Sequence, residues 1–294
     1  MKNKPMTIPA LIPGITFAIL ALIAGCGGSS GGPESAADYL DPRFEVRRTE
    51  GLVYGTSTMP DGEKVDLQLD LFEPEGPGLE RNPPGVILIH GGGFRGGSRS
   101  NANLVRIAES LVERGYVVAS ISYRLLRDIG PAPIPERFAG LAAVPSFIAA
   151  ATEDAWKATD WLHTNTPVDP DRTFIGGSSA GGITAMSLAY SPDNLDLEAA
   201  AFAGVLNLWG GSFRPEDADP GESPIFIVHG TGDRTVPFSL TEAFLLEADR
   251  VGLEYELHAP LGAGHGFGAT GFFEPRDEGS YFDHLISFLA RQAH

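Results

Sequence analysis

The chain has 294 residues, with 38 Asp and Glu against 21 Lys and Arg and a formal net charge of −17. So acidic a balance argues against nucleic acid as a partner, because phosphates need clustered Lys and Arg, and against attachment to anionic lipid through surface charge. Hydrophobic residues make up 43%, enough to bury an extensive core in one large domain, and the single cysteine leaves no disulfide within the chain.

From the N-terminus, Lys2 and Lys4 form a short positive segment ahead of the largely apolar run from Ala10 to Ala24. The run is short for a membrane span and is interrupted by Pro13 and Gly14, which suits the apolar region of a signal peptide. It ends in Leu22-Ile23-Ala24-Gly25-Cys26, which resembles a bacterial lipobox. The resemblance implies that Cys26 becomes the lipidated first residue of the mature protein; the alternative is an ordinary secretory signal that happens to contain a cysteine. Gly27 to Pro33 is Gly/Ser-rich and reads as a flexible tether. The expected division is a lipoprotein signal peptide over 1–25, a tether over 26–39 and one folded domain over 40–294. With so acidic a surface, the acyl chains would do the anchoring. An exported lipoprotein of the cell envelope follows, in the outer membrane if the host is Gram-negative, since Gly27 is not the aspartate that signals inner-membrane retention.

Next come Phe44 to Tyr54 and Val65 to Phe72, expected as antiparallel opening strands. Val65-Asp66-Leu67-Gln68-Leu69-Asp70-Leu71 alternates apolar and polar residues, as a half-buried strand does. Later strands are continuous apolar runs alternating with helices expected at Ala102–Arg114, Glu153–Thr164 and Ala180–Tyr190, the pattern of a parallel sheet covered on both faces. Thr152, Glu153 and Asp154 read as a capping hydroxyl and first-turn acids opening the second of these helices. Arg127 to Ala151 carries four prolines along with Phe138, Leu141 and Phe147, and is either a lid or binding loop or a packed surface excursion. Asn207 to Ser223, with Trp209 and Phe213, is a second segment able to line a cleft. No internal repeat, metal-ligand cluster or cofactor motif is legible.

Chemistry concentrates at four places. Thr173 to Gly182 reads as a buried strand running through Gly177-Ser178-Ser179-Ala180-Gly181 into a helix, a match to G-x-S-x-G. A serine on so sharp a turn stands clear of the sheet, at a helix N-terminus that favours negative charge. Taken alone, the match also fits a serine that merely caps its helix. Upstream, the apolar run Pro84 to Ile89 leads into His90-Gly91-Gly92-Gly93-Phe94, where glycines allow amides to turn into a cavity. Downstream, Asp233 follows the strand Pro224 to Val228, at the end of a strand where catalysts gather in open α/β sheets, although an Asp in such a turn is often only a turn former. His265 lies in Gly262-Ala263-Gly264-His265-Gly266-Phe267, after the strand-like Tyr255 to Ala259. Of the seven histidines, only His265 has glycine neighbours on both sides. His90 and His229 read as structural, and His163, His284 and His294 as surface or packing residues.

The order Ser179, Asp233, His265 is that of α/β-hydrolases. From roughly Leu40 onward the chain resembles this superfamily, near the bacterial carboxylesterases of the hormone-sensitive-lipase and feruloyl/acetyl-xylan esterase branch. Tyr116 to Leu125 resembles the family's fourth strand, and Glu153 to Ala158 with Trp161-Leu162 the helix before the nucleophile strand. The resemblance implies a mostly parallel twisted sheet with antiparallel first strands, and ester hydrolysis by a Ser179–His265–Asp233 triad with no cofactor. His90-Gly91-Gly92-Gly93 resembles the HGGG loop of lipases and esterases, which implies an oxyanion hole of the Gly92, Gly93 and Ala180 amides, with His90 holding the loop. One departure stands out: hormone-sensitive-lipase relatives carry an acidic residue before the nucleophile and type-B carboxylesterases a glutamate, whereas this chain has Ser178. The implied partner is a small-molecule or polymer-linked ester. The rival readings are a serine peptidase or amidase, a polyester hydrolase, and a non-catalytic binding or adhesion module on the same fold.

Overall fold

The computed structural model describes residues 39–59, 61–129, 145–191, 201–267 and 271–294. The expected signal peptide, Cys26, the Gly27 to Pro33 tether, Phe138 and Leu141 lie outside these residues. Tyr39, assigned above to the tether, belongs to the folded body. It is buried, its ring lies 5.1 Å from that of Tyr116, and its hydroxyl bonds Glu80.

An eight-stranded sheet in the order β1-β2-β4-β3-β5-β6-β7-β8 organises the domain. Its strands are β1 (Glu45–Thr58), β2 (Lys64–Glu75), β3 (Pro84–Ile89), β4 (Val117–Ile121), β5 (Asp169–Ser178), β6 (Gly204–Leu208), β7 (Ile225–Val228) and β8 (Tyr255–His258). β1 pairs with β2 and β2 with β4 antiparallel, while every later pairing is parallel. The expected class, an α/β-hydrolase fold with antiparallel first strands, is what the sheet shows.

Every residue of β3, β4, β6 and β7 is buried, so these strands read as unbroken apolar runs instead of alternating. Alternate side chains feed two cores. Ile87, Ile89, Val205 and Ile227 face one, with Ala155 and Leu162 of α3 (Ser146–Asn165), Ile183 of α4 (Ala180–Tyr190) and Phe244 of α5 (Ser239–Val251). Val86, Leu88, Leu206 and Phe226 face the other, with Leu104 and Leu111 of α1 (Ala102–Val112) and Leu285 and Phe288 of α6 (Tyr281–Gln292). Each such side chain gains about 1.5–3 kcal/mol from leaving water. A short α2 (Leu126–Ile129) precedes α3. Among the described residues no helix is long and apolar enough to cross a membrane.

The start of α3 corrects the sequence reading. The helix opens at Ser146 after Pro145, which makes no side-chain cap, so Thr152, Glu153 and Asp154 lie well inside it. Thr152 Oγ1 donates to the Ile148 carbonyl. Asp154 is fully buried and takes bonds from the Arg124 amide (2.8 Å) and guanidinium (3.0 Å), while Glu153 accepts from the same guanidinium at 2.6 Å. What resembles a first turn is thus an internal ion cluster tying α3 to the end of β4. Burial raises the Asp154 pKa, against the opposing pull of Arg124. Replacing Arg124 by Met should therefore strand a buried carboxylate and cost about 3–5 kcal/mol. Urea denaturation checks this, and Arg124→Met combined with Asp154→Leu should recover part of the loss.

Candidate active site

The strand order reverses direction between β3 and β5, and ligand crevices form at the carboxyl ends of strands at such a point. The two loops flanking it are the glycine loop after Ile89 and the turn after Ser178. They are forced close together. A Cβ on Gly181 would lie 2.0 Å from the Ile89 carbonyl oxygen, so only glycine permits the helix to start there. Ser179 sits between at φ 55° and ψ −118°, a region costly for a residue with a Cβ. Its amide donates to the Leu208 carbonyl at 2.8 Å.

The Ser179 side chain does not cap α4, which removes the bland reading of G-x-S-x-G. Its Oγ lies 2.9 Å from His265 Nε2, and His265 Nδ1 lies 2.6 Å from Asp233 Oδ2. The structure thus brings together the three residues scattered over the sequence. His265 belongs to a single turn, His265–Phe267, beyond β8. Asp233 follows β7 and is buried, with Oδ1 accepting from the amides of Thr235 (2.8 Å) and Val236 (3.1 Å). Burial alone would raise its pKa; the bonds from His265 and the two amides outweigh that and hold the carboxyl below its ordinary value. Asp233 is therefore an anion at neutral pH, which fixes the proton of His265 on Nδ1 and leaves Nε2 free to accept from Ser179.

His229, read from sequence as purely structural, touches this chain of bonds. Its Nε2 lies 3.2 Å from Asp233 Oδ2 and 3.0 Å from the Val236 carbonyl, and its Nδ1 is 2.8 Å from Thr241 Oγ1. Two acceptors at Nε2 place the proton there, so Nδ1 accepts from Thr241. His229 is a positioning residue for Asp233. No local sequence signal marks it, because its contacts with Asp233, Val236 and Thr241 form only when the turn after β7 and the start of α5 fold back over the strand end.

His90 holds the glycine loop as expected. It is buried, its Nδ1 lies 2.7 Å from the Gly91 carbonyl, and its ring stacks on Tyr123 at 4.4 Å. The Tyr123 hydroxyl donates to the His90 carbonyl at 3.0 Å. Gly92 has φ 121° and a Cβ there would meet the Gly96 carbonyl oxygen at 2.2 Å, so the loop's shape requires glycine. Among the described residues the amides of Gly92, Gly93 and Ala180 find no acceptor, and all three residues line cavities beside Ser179.

Two cavities open on the serine. One, of about 520 Å³, is walled by Leu104, Ile107, Trp209, Phe272 and Phe273; the other, of about 430 Å³, by Phe94, Phe147, Ile183, Phe213 and Leu240. Both segments suspected of lining a cleft contribute: Trp209 to the first cavity, Phe147 and Phe213 to the second. Ser178, in the position where relatives carry an acid, lies against Gly91, with its Oγ 3.2 Å from where a Cβ on that glycine would be. A larger side chain at 178 would press on the glycine loop.

The fold is that of the α/β-hydrolases. Residues 69–205, from within β2 to the start of β6, match the family model described as BD-FAE. The structure resembles Thermogutta terrifontis esterase 2 with propionate bound, at TM-score 0.61 and 22% identity over 85% of this chain and 93% of that one. The same enzyme phosphonylated by cyclosarin matches at TM-score 0.60 and 22% identity, over 85% and 92% of the two chains. A curated relative, the non-reducing polyketide synthase atr1 of Stereocaulon alpinum, is 28% identical over 56% of this chain, and the match spans 6% of that protein's length.

The buried histidines give the fold an acid sensitivity. Burial is the leading cause that holds His90 and His229 below the ordinary value of 6.5. Below about pH 6.5 the unfolded chain gains protons at these sites before the folded one does, so stability falls as the pH drops toward their folded values. Asp233 works in a lower window: its stabilisation is present above the ordinary carboxylate value of 3.8 and is lost as pH falls through its depressed pKa. The urea midpoint should drop between pH 7.5 and 5.5, and by less in His229→Asn; equal midpoints at the two pH values contradict this account.

Proposed function

We propose that the chain is a serine carboxylesterase that works through an acyl-enzyme. The observation that carries the reading is the continuous line of bonds from Ser179 Oγ through His265 to Asp233, at 2.9 and 2.6 Å. Ser179 attacks the ester carbonyl while His265 Nε2 takes its proton, and Asp233 steadies the imidazolium that forms. The negative charge that develops on the carbonyl oxygen is met by the amides of Gly92, Gly93 and Ala180. One such donor typically contributes about 2.7–4 kcal/mol. His265 then returns its proton to the departing alcohol, and water repeats the sequence to release the acid.

An ester has two arms, and the two cavities meeting at Ser179 would hold one each. Their predominantly apolar walls favour esters of hydrophobic acids or alcohols over charged peptides. The esterase neighbours, one with propionate bound and one phosphonylated, support the same chemistry. Replacing Ser179 by Ala should lower kcat on p-nitrophenyl acetate by on the order of 10⁴-fold or more, and Asp233→Asn by about 10⁴-fold, with the fold intact by circular dichroism. A fluorophosphonate probe should label the parent and not Ser179→Ala. An unlabelled parent points instead to a binding module on the same fold.

We further propose that this enzyme is held on a cell envelope through lipidated Cys26. The lipobox-like Leu22-Ile23-Ala24-Gly25-Cys26 supports it. Cys26→Ser should abolish incorporation of labelled palmitate and move the activity from the membrane to the soluble fraction.

A further inference from the structure

We propose that Glu256, His258 and His284 form a binding site for a divalent transition-metal ion of the zinc type, clamping the edge strand β8 to α6. Each residue offers one ligand atom, a carboxylate oxygen or a ring nitrogen, and the three atoms lie within 4.8 Å of one another. None of the three lines either cavity at Ser179, so the site is separate from the hydrolytic centre and independent of its assignment.

The fold brings these side chains together by two periodicities. Glu256 and His258 occupy alternate positions of β8, so they share one face of the strand. On α6, the spacing of His284, Phe288 and Arg291 puts them on one stripe of the helix. Phe288 packs on Phe226 of β7 with centroids 5.7 Å apart, and Arg291 bonds Glu256 Oε2. That docking lays the His284 ring beside the His258 ring, with centroids 4.4 Å apart and planes 35° apart. The His284 ring makes no hydrogen bond among the described residues. His258 Nε2 lies 2.8 Å from Glu256 Oε1.

The donor set selects the ion. Two imidazoles and one carboxylate suit zinc and its first-row neighbours, whereas calcium and magnesium demand oxygen donors. Ligand distances near 2.0–2.2 Å put tetrahedral donors about 3.3–3.6 Å apart, so the three groups need only side-chain rotation to converge. All three are half-buried, which leaves a coordination position for water while limiting competition from solvent. Arg291 stays on the second carboxylate oxygen and orients the first.

The test uses the full chain, stripped with EDTA and desalted. Titration calorimetry with ZnCl₂ at pH 7.5 should show one site per chain, with no heat from MgCl₂. His258→Ala and His284→Ala should each weaken zinc binding by at least about tenfold, while His163→Ala leaves it unchanged. Zinc should raise the thermal midpoint of the parent and not that of His284→Ala. With Co²⁺ the parent should show the visible bands of a tetrahedral nitrogen/oxygen site without a thiolate band, which separates it from binding at Cys26. If either alanine variant fails to fold, His284→Gln and Glu256→Gln carry the same comparison. Equal zinc affinity in the parent and the ligand variants, or a thermal midpoint indifferent to zinc, overturns the proposal.

Discussion

Two pieces of backbone crowd against the Ile89 carbonyl, and from that contact the geometry of the site follows. The end of β5 and the start of α4 approach it so closely that Gly177 and Gly181 have no room for a Cβ. The residue between them must turn with a positive φ, and a serine rather than a glycine occupies that place. Backbone strain elsewhere in the described chain is sparing and local. Among the described residues the non-glycine positions with positive φ are Phe94, Ser179, Trp209 and Phe267; the first three line the cavities at Ser179, and Phe267 packs on Trp209. Such conformations cost about 1–3 kcal/mol each and persist because the two cores on either side of the sheet over-determine the strands that carry them.

From that turn outward, parallel strands do the positioning. β3 ends in the glycine loop, β5 in the serine, β7 in the turn bearing Asp233, and β8 leads to His265. Because these strands run the same way, their carboxyl ends deliver four loops to one edge of the sheet. The antiparallel β1 and β2 extend the sheet at the far side and take no part in the crevice. Their contribution is structural. Asp70 on β2 is buried and accepts from Arg48 (2.8 Å) and Arg99 (2.7 Å), which pins the segment leading into α1 and so one wall of the larger cavity.

Much of this was legible in the chain because each element of the candidate site carries a local signature. A glycine-bracketed serine, a glycine-bracketed histidine and an aspartate after an apolar run can each be found within ten residues of sequence, and their order adds a further constraint. What could not be read were features defined by partners far along the chain. The Thr152-Glu153-Asp154 triplet has the composition of a helix start. Only the guanidinium of Arg124, in the loop after β4, makes it an interior ion cluster. Tyr39 resembles the polar tether before it until Tyr116 and Glu80 are seen around it. Ligation by His258 and His284 escaped for the same reason: a strand and a helix must dock before their side chains share a volume.

Asp233 has more donors than its role requires. One oxygen is held by two amides, and the other faces His229 as well as His265. If the His265 ring swings away, the carboxylate loses one bond of several and stays where it is. The work of desolvating and aiming that anion is done once, when the chain folds. In the proposed reaction each turnover would begin with the field already in place, and the moving part would be a single imidazole returning to a fixed socket.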